Sequence, residues 1–172
     1  MQMITQYLLD KKGQRIGVLT AVLREDGRIG IGFSKNRKTV NHPDFGFADR
    51  GDIFDTSRGR TIAHDRAMFG TKVPIPASFS RKTAMITIAP TDVSSRHYRV
   101  EKNLIDVFVD RCRRYFKVYD FAHFTACVST GGSQLLAEYD GYKWHCMNWH
   151  LQPLGVYTTL QEVFDNRHSM LY

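Results

Sequence analysis

The fold is decided by residues 15–35, which read RIGVLTAVLREDGRIGIGFSK. Every second residue from Ile16 to Val22 is β-branched, and Glu25-Asp26-Gly27 then interrupts the run. An Asp-Gly pair before a further apolar run is a strong hairpin signal. The stretch therefore predicts two antiparallel strands, Arg15–Arg24 and Arg28–Phe33, joined by a tight turn.

The strand from Arg28 to Phe33 carries glycine at two alternate positions, Gly30 and Gly32. Alternate residues of a strand share a face, so one face of this strand has no side chains. Either a packed helix or a flat ligand can then approach the backbone closely. Before the hairpin, the apolar run Ile4–Leu9 predicts a further strand, followed by a turn at Lys11-Lys12-Gly13.

Residues 35–56 are predicted to form a long loop without secondary structure of its own, a type of segment that is usually functional or mobile. A helix is then expected from Asp55–Ser57, where three N-cap residue types adjoin, to Gly70. Four of its residues are expected to pack on the sheet: Ile62, Ala63, Ala67 and Phe69.

The stretch Val73-Pro74-Ile75-Pro76 is expected to be extended, because proline restricts both itself and the residue before it. It predicts a boundary between a basic sheet-plus-helix lobe (residues 1–73) and a second lobe (residues 74–172). The fold class is therefore α+β: a three-stranded antiparallel sheet plus a helix, followed by a second small α/β lobe packed against it.

In the second lobe we expect a strand at Ala84–Ala89, a helix at Val100–Lys117 and a strand at Phe121–Ser129. The apolar face of that helix is expected to comprise Val100, Leu104, Val107, Phe108, Cys112 and Tyr115, at helical spacing. Residues 133–149 predict a short helix or strand and then a strand at Tyr142–Trp149. A capping box, either Thr158 with Gln161 or Thr159 with Glu162, opens a terminal helix that reaches about His168.

The charge of the chain is concentrated in its first half. Of the 24 lysines and arginines, 17 lie in residues 1–100, against 9 of the 17 acidic residues. A basic surplus attracts phosphate polyanions and releases their counterions, so nucleic acid is the leading partner class. The alternative explanation is that a net charge of +7 only keeps a small domain soluble.

Other function classes are disfavoured by the sequence. No stretch approaches the length of a membrane span, and Met1–Asp10 lacks the features of a secretory signal, so we expect a cytoplasmic protein without membrane contact. Cys112, Cys127 and Cys146 form no C-x-x-C pair, which disfavours a disulfide framework or a zinc ribbon. No cofactor motif is recognised.

The run Thr20–Lys35 resembles a hairpin in the N-terminal domain of the fifth small-subunit ribosomal protein family. That family has an apolar strand, Asp/Asn-Gly, and then Val/Ile-Gly-x-Gly-x-x-Lys. The resemblance covers residues 4–70 and implies a three-stranded sheet followed by a helix, similar to double-stranded-RNA-binding domains, that contacts ribosomal RNA. The chain departs from the family by roughly twenty extra residues between Lys35 and the helix. The small size and second half also resemble accessory proteins of tailed phages.

The candidate nucleic-acid-binding residues lie around the glycine-rich strand, the loop and the following helix. They are Arg28, Lys35, Arg37, Lys38, Arg58, Arg60 and Arg66. Basic loop residues beside the basic start of a helix can grip phosphates across a groove with little base discrimination. We therefore predict a non-catalytic protein that binds structured RNA or a host ribonucleoprotein such as the ribosome.

Two alternatives stay open. A metal-dependent nuclease would use the cluster of Asp49, Asp52, Asp55 and His64-Asp65. A basic protein-interaction inhibitor would instead dock on an acidic host protein.

Three further constellations are weaker. His145, Cys146 and His150 offer metal ligands without a fourth partner. His123 and Cys127 are expected to share a strand face as a thiol–imidazole pair. The run Ser129–Ser133 lacks the ending of a phosphate-binding P-loop and predicts a tight turn.

Overall fold

A computed structural model describes residues 2–36, 40–42, 47–49, 55–81, 84–88, 100–129 and 133–171. The strands are Met3–Leu9 (β1), Arg15–Leu23 (β2), Ile29–Lys35 (β3), Val40–His42 (β4), Phe47–Asp49 (β5), Met85–Ile88 (β6), Val100–Asn103 (β7), Phe124–Ser129 (β8), Gln134–Tyr139 (β9), Trp144–Met147 (β10) and Pro153–Tyr157 (β11). The helices are Thr56–Phe69 (α1), Ala77–Ser80 (α2), Leu104–Phe116 (α3), Leu160–Asp165 (α4) and Arg167–Leu171 (α5). The predicted α+β class is confirmed.

The first three strands form an antiparallel sheet in the order β1-β2-β3. Gly13 (φ +79°) and Gly27 (φ +81°) provide the left-handed backbone in the two connecting turns. One face of the sheet is apolar and buried, with Leu19, Ile29 and Ile31 among its side chains. The hairpin predicted from residues 15–35 is therefore confirmed, including its turn at Asp26-Gly27.

Helix α1 covers the other face of this sheet, to which β3 contributes Gly30, Gly32 and the buried Ser34. A Cβ on Gly30 would lie 2.0 Å from Ala67 O, and one on Gly32 would lie 2.1 Å from Ala63 O. The helix contributes a stripe of small buried residues, Gly59, Ala63 and Ala67. Of the two explanations for the alternating glycines, a closely packed helix is therefore the correct one.

The helix has the predicted limits, but one packing prediction is wrong. Asp55 caps α1 by accepting a hydrogen bond from Arg58 N, and Gly70 (φ +82°) ends it. Phe69, expected on the sheet, is 81% exposed. Each helical residue turns about 100°, so Phe69 points about 200° away from Ala67.

The segment between β3 and α1 contains secondary structure that the sequence did not predict. β4 and β5 pair in antiparallel register, with Val40 opposite Asp49 and His42 opposite Phe47. The expectation of an unstructured loop over residues 35–56 is therefore wrong. Neither β4 nor β5 shows a clear alternation of apolar and polar residues, because each strand has only three residues.

Helix α3 begins later than predicted. Val100–Asn103 is a strand that pairs with Met85–Ile88, and Asn103 caps the helix by accepting a hydrogen bond from Ile105 N. Val100 lies four residues before Leu104, which imitates helical spacing.

The buried face of α3 is also rotated from the predicted one. It comprises Leu104, Ile105, Phe108, Val109, Cys112 and Phe116. Tyr115, which was expected in this face, is 52% exposed. The predicted face is misplaced because it includes Val100, which belongs to β7, and this shifts the centre of the predicted apolar face around the helix.

The remaining strands form a four-stranded antiparallel sheet in the order β11-β10-β9-β8. Residues 133–149, for which the sequence allows a helix or a strand, form β9 and β10. Strand β11 was not predicted: it contains a proline and a glycine and lies at the sheet edge, where alternation is weak. The terminal helix begins as expected, because Thr159 Oγ1 accepts a hydrogen bond from Glu162 N at 3.1 Å.

The two predicted lobes share one cluster of buried residues. It includes Leu19 of β2, Phe108 of α3, Trp144 of β10 and Leu160 of α4. The stretch around Ile75 is extended as predicted and pairs with β8, since Ile75 N donates to Thr125 O at 2.7 Å. The lobe boundary at residue 73 stays a prediction.

Among the described helices, none combines the length and apolar character needed to cross a membrane.

Candidate nucleic-acid interface

Three segments of the first sheet and its helix bring basic side chains toward one end. Residues Gly32 and Gly30 of β3 face Ala63 and Ala67 of α1 in that order, so the helix runs antiparallel to β3. Its first turn therefore lies toward Lys35, the last residue of β3. The turn between β1 and β2 lies at this end as well, because Gly17 pairs with Lys35.

We call this region the basic end, and it consists of Lys11, Lys12, Arg15, Lys35 and Arg58. All of them except Lys35 are exposed, and Lys35 is partly buried. The guanidinium of Arg15 lies 3.9 Å from the centre of the Tyr7 ring, which holds that side chain in place. These cations come from three separate segments of the chain, so they form a basic patch on the surface and not a single row of charges.

The carboxylates near the basic end are occupied by backbone groups. Asp10 Oδ1 accepts hydrogen bonds from Lys12 N and Gln14 N, each at 2.9 Å. Asp55 Oδ1 accepts one from Arg58 N at 3.1 Å. Within the described ranges, no carboxylate forms an ion pair with Lys11, Lys12 or Arg58. These charges remain available to an anionic partner.

Arg60 lies on a neighbouring surface of α1. It lines a groove of about 510 Å³ together with Met3, Thr56, Ser57, Thr61 and His64. The groove is mostly polar in its side chains and contains one arginine among its described residues. Met3 pairs with Val22, at the opposite end of β1 from the Lys11-Lys12 turn, so this groove extends away from the basic end.

Two of the predicted binding residues make their contacts within the protein. Arg66 Nη1 donates a hydrogen bond to Phe33 O at 3.0 Å, and its guanidinium lies 4.8 Å from the Phe33 ring centre. Arg28 lies at the other end of β3 and pairs with Asp26 at 2.8 Å. The structure therefore does not bring Arg28 together with Lys35. Arg37 and Lys38 lie outside the described residues.

Three residues of the basic end, Lys11, Lys12 and Arg15, were not predicted to bind nucleic acid. A signal for them was present, since two lysines and a glycine form a turn between strands. It was missed because the predicted interface follows closeness in sequence to the glycine-rich strand. The register of β1 against β2 is what brings this turn beside Lys35.

Among the three phenylalanines that are candidates for stacking, only the side chain of Phe33 is described, and it provides no open surface at this end. Phe33, a candidate for stacking on bases, is 4% exposed and belongs to the apolar face of the sheet. The side chains of Phe45 and Phe47 lie outside the described part of the chain. The basic end therefore presents charge in its described residues and little aromatic surface.

The cysteine candidates for catalysis are separated from their partners. Cys146 is buried against the core, and burial raises the pKa of its thiol to about 12. His145 is on the opposite face of β10, where its Nε2 lies 2.6 Å from Asp140 Oδ2. Burial also raises the pKa of Cys127, whereas an activated thiol needs a lowered one.

The remaining metal and phosphate candidates do not converge in the part of the chain that the structure describes. His123, predicted beside Cys127, instead pairs with Glu138 at 2.8 Å. Asp55 caps α1, and the side chains of Asp49 and Asp52 lie outside the described residues. Within those residues, no group of three histidine, cysteine or acidic side chains is placed to hold a metal ion. Residues 130–132 of the serine-glycine turn are also outside the described ranges.

Comparison with known proteins adds no functional assignment. No family model matches the chain, and no curated protein or solved structure shows significant similarity to it. The basic end is therefore interpreted from its own geometry and charge.

Proposed function

We propose that the protein binds structured RNA without cleaving it, and that the basic end grips the phosphates. The proposal rests on placement: the register of β1, β2 and β3 puts Lys11, Lys12, Arg15 and Lys35 at one end of the sheet, and the direction of α1 points the turn with Arg58 toward that end. Lys11, Lys12 and Arg58 have no carboxylate partner among the described residues. Phosphate contacts provide most of the affinity of such interfaces.

A duplex is the form of RNA that fits the basic end. Double-stranded RNA is recognised by shape and by phosphate and ribose contacts across its grooves, and cations on several separate segments can reach phosphates on both sides of a groove. Single strands are gripped by aromatic side chains that stack on bases. Phe33 is buried, so phosphate contact is the better supported mode at this end.

The order of elements agrees with the family resemblance. Strands β1, β2 and β3 are followed by α1 after the short pair β4 and β5, and apart from that pair this is the order that the domain of the fifth small-subunit ribosomal protein family implies for residues 4–70. This agreement supports the proposal, and it makes the ribosome or another ribonucleoprotein in the cytoplasm the proposed partner. The proposal also covers the case in which the protein is an accessory protein of a tailed phage that acts on a host ribonucleoprotein.

The proposal is tested by binding to a fluorescently labelled RNA duplex of about 20 base pairs. The triple variant Lys11→Ala, Lys12→Ala, Arg58→Ala should lose affinity by about tenfold or more, because each residue contacts phosphate. The matched control is Lys72→Ala, Arg81→Ala, Lys143→Ala, which removes the same charge from exposed positions elsewhere. Equal loss in both triples would show that net charge alone explains binding, and the basic end would be rejected.

A further inference from the structure

A second basic surface lies on the solvent side of α3. A groove of about 480 Å³ is lined there by Lys102, Val107, Asp110, Arg113, Arg114 and Tyr119. It is separate from the basic end, because Tyr119 adjoins Asp120, whose carbonyl accepts a hydrogen bond from Ile29 N. Ile29 begins β3 and Lys35 ends it, which places the two regions about 20 Å apart along the strand.

The groove has uncompensated positive charge. Lys102 and Arg114 are exposed, and neither has an ion-pair partner in the described ranges. Among the described lining residues Asp110 is the one carboxylate, and its charge is partly offset by Arg113 Nη1 at 3.7 Å. Lys117 adds a further exposed cation just after the helix. An anionic ligand would therefore be favoured along this face of α3.

Arg113 gives the groove a rigid wall. Its guanidinium donates hydrogen bonds to the Tyr139 hydroxyl and to Gly141 O. It also lies 5.1 Å from the centre of the Phe121 ring. Because these contacts use its donors, Arg113 is a positioning residue, and Arg114 and Lys102 are the cations that a ligand would meet.

Tyr119 gives the groove an open aromatic surface. Tyr119 is 68% exposed, although tyrosine rings carry a large apolar surface that favours burial. The backbone on its C-terminal side is held by the hydrogen bond from Ile29 N to Asp120 O at 2.8 Å. An exposed ring beside unpaired cations is the combination that binds single-stranded nucleic acid, with a base stacked on the ring.

We propose that the α3 groove binds single-stranded RNA, with a base on Tyr119 and phosphates at Arg114 and Lys102. This rests on the proposed function and deepens it: the substrate class becomes RNA in which a duplex joins a single-stranded segment. An acidic protein segment would satisfy Arg114 and Lys102 and make no use of the exposed ring. The aromatic surface therefore favours RNA.

The test measures the affinity of a labelled twelve-nucleotide uridine oligomer by fluorescence anisotropy. Tyr119→Ala should weaken this binding about tenfold, because the ring on which the base stacks is removed. Tyr119→Phe should retain it. Arg114→Ala should weaken it and lower the salt slope by about 0.7. The matched control is Trp149→Ala, which removes a 57% exposed ring from the loop between β10 and β11.

The proposal is overturned if Tyr119→Ala binds the oligomer as the wild type does, or if Trp149→Ala has the same effect. It is also overturned if a glutamate-rich peptide binds more tightly than the oligomer and is insensitive to Tyr119→Ala. Duplex binding is measured in parallel. If Tyr119→Ala abolishes oligomer binding while the Lys11, Lys12, Arg58 triple leaves duplex binding unchanged, the groove is supported and the basic end is rejected.

Discussion

Gly32 has no room for a side chain, because a Cβ there would lie 2.1 Å from Ala63 O and 2.4 Å from Ala67 N. Both atoms belong to the backbone of α1, so the helix itself would have to move. We expect Gly32→Ala to lower the free energy of unfolding by about 3 kcal/mol, as overpacking does. Gly13→Ala, at a position with open space and φ +79°, should cost only about 1 kcal/mol of backbone strain.

Urea unfolding of both variants measures this difference. If Gly32→Ala were as stable as Gly13→Ala, the close approach of α1 to β3 would be wrong. The sequence showed that β3 has no side chain at Gly30 and Gly32, and only the structure could show which element fills the space. Alternating glycines have the same pattern whether a ligand or a helix lies against them.

Asn103 is a second residue whose role depends on the fold. It is fully buried, donates to Ser80 O at 3.0 Å and accepts from Ile105 N at 2.9 Å. Asn103→Ala would leave both groups unsatisfied, so we expect a loss of about 2–3 kcal/mol in the free energy of unfolding. Thr159→Ala removes a similar cap at the start of α4, where solvent can replace it, and should cost about 1 kcal/mol.

Thermal or urea unfolding of the two variants tests the comparison. Equal costs would contradict the burial of Asn103. The sequence did not reveal this cap. Val100 stands at helical spacing from Leu104, so the helix was expected to begin before Asn103.

Helices α3 and α4 are joined by one carboxylate. Asp106 Oδ1 accepts a hydrogen bond from Leu160 N at 2.8 Å, and Oδ2 accepts one from Gln161 N at 2.9 Å. Burial nevertheless raises the pKa of Asp106 to about 6, with Asp110 and Glu162 adding to the rise and the two hydrogen bonds opposing it. The folded state therefore binds this proton more tightly than the unfolded chain does.

A raised pKa fixes the direction of the pH dependence. The stabilising contribution of Asp106 is fully present below the pKa of the unfolded chain, near 4, and is lost as pH rises through about 6. We expect Asp106→Asn to flatten the pH dependence of unfolding between pH 4 and pH 7. A variant with the same pH profile as the wild type would contradict the burial of this carboxylate between the helices.

The elements were predictable where their signals are local. The hairpin of β2 and β3, the limits of α1 and the start of α4 all follow from turn glycines, N-caps and a capping box. The short strands β4, β5 and β11 were missed because three to five residues carry too little periodicity. The false start of α3 shows that apolar spacing cannot separate a strand that leads directly into a helix from a longer helix.

The candidate interface was only partly predictable, because it is assembled by pairing between distant segments. Lys35 ends β3 and Arg58 lies in the first turn of α1 as expected, but Lys11 and Lys12 come beside Lys35 only through the register of β1, β2 and β3. Arg66 was included on charge alone, and its contacts with Phe33 exist only in the folded chain. Composition indicates the sign of the surface charge, and the fold decides which cations share one surface.

For the molecule as a whole, the central claim is that the basic end binds RNA through its phosphates. The most direct measurement is the dependence of duplex-RNA affinity on salt concentration, for the wild type and for the triple variant Lys11→Ala, Lys12→Ala, Arg58→Ala. We predict that affinity falls steeply with salt in the wild type. The slope should decrease by about 3 in the triple variant, because each of the three substitutions removes one cation that neutralises a phosphate. A slope that is the same in both proteins would contradict the claim.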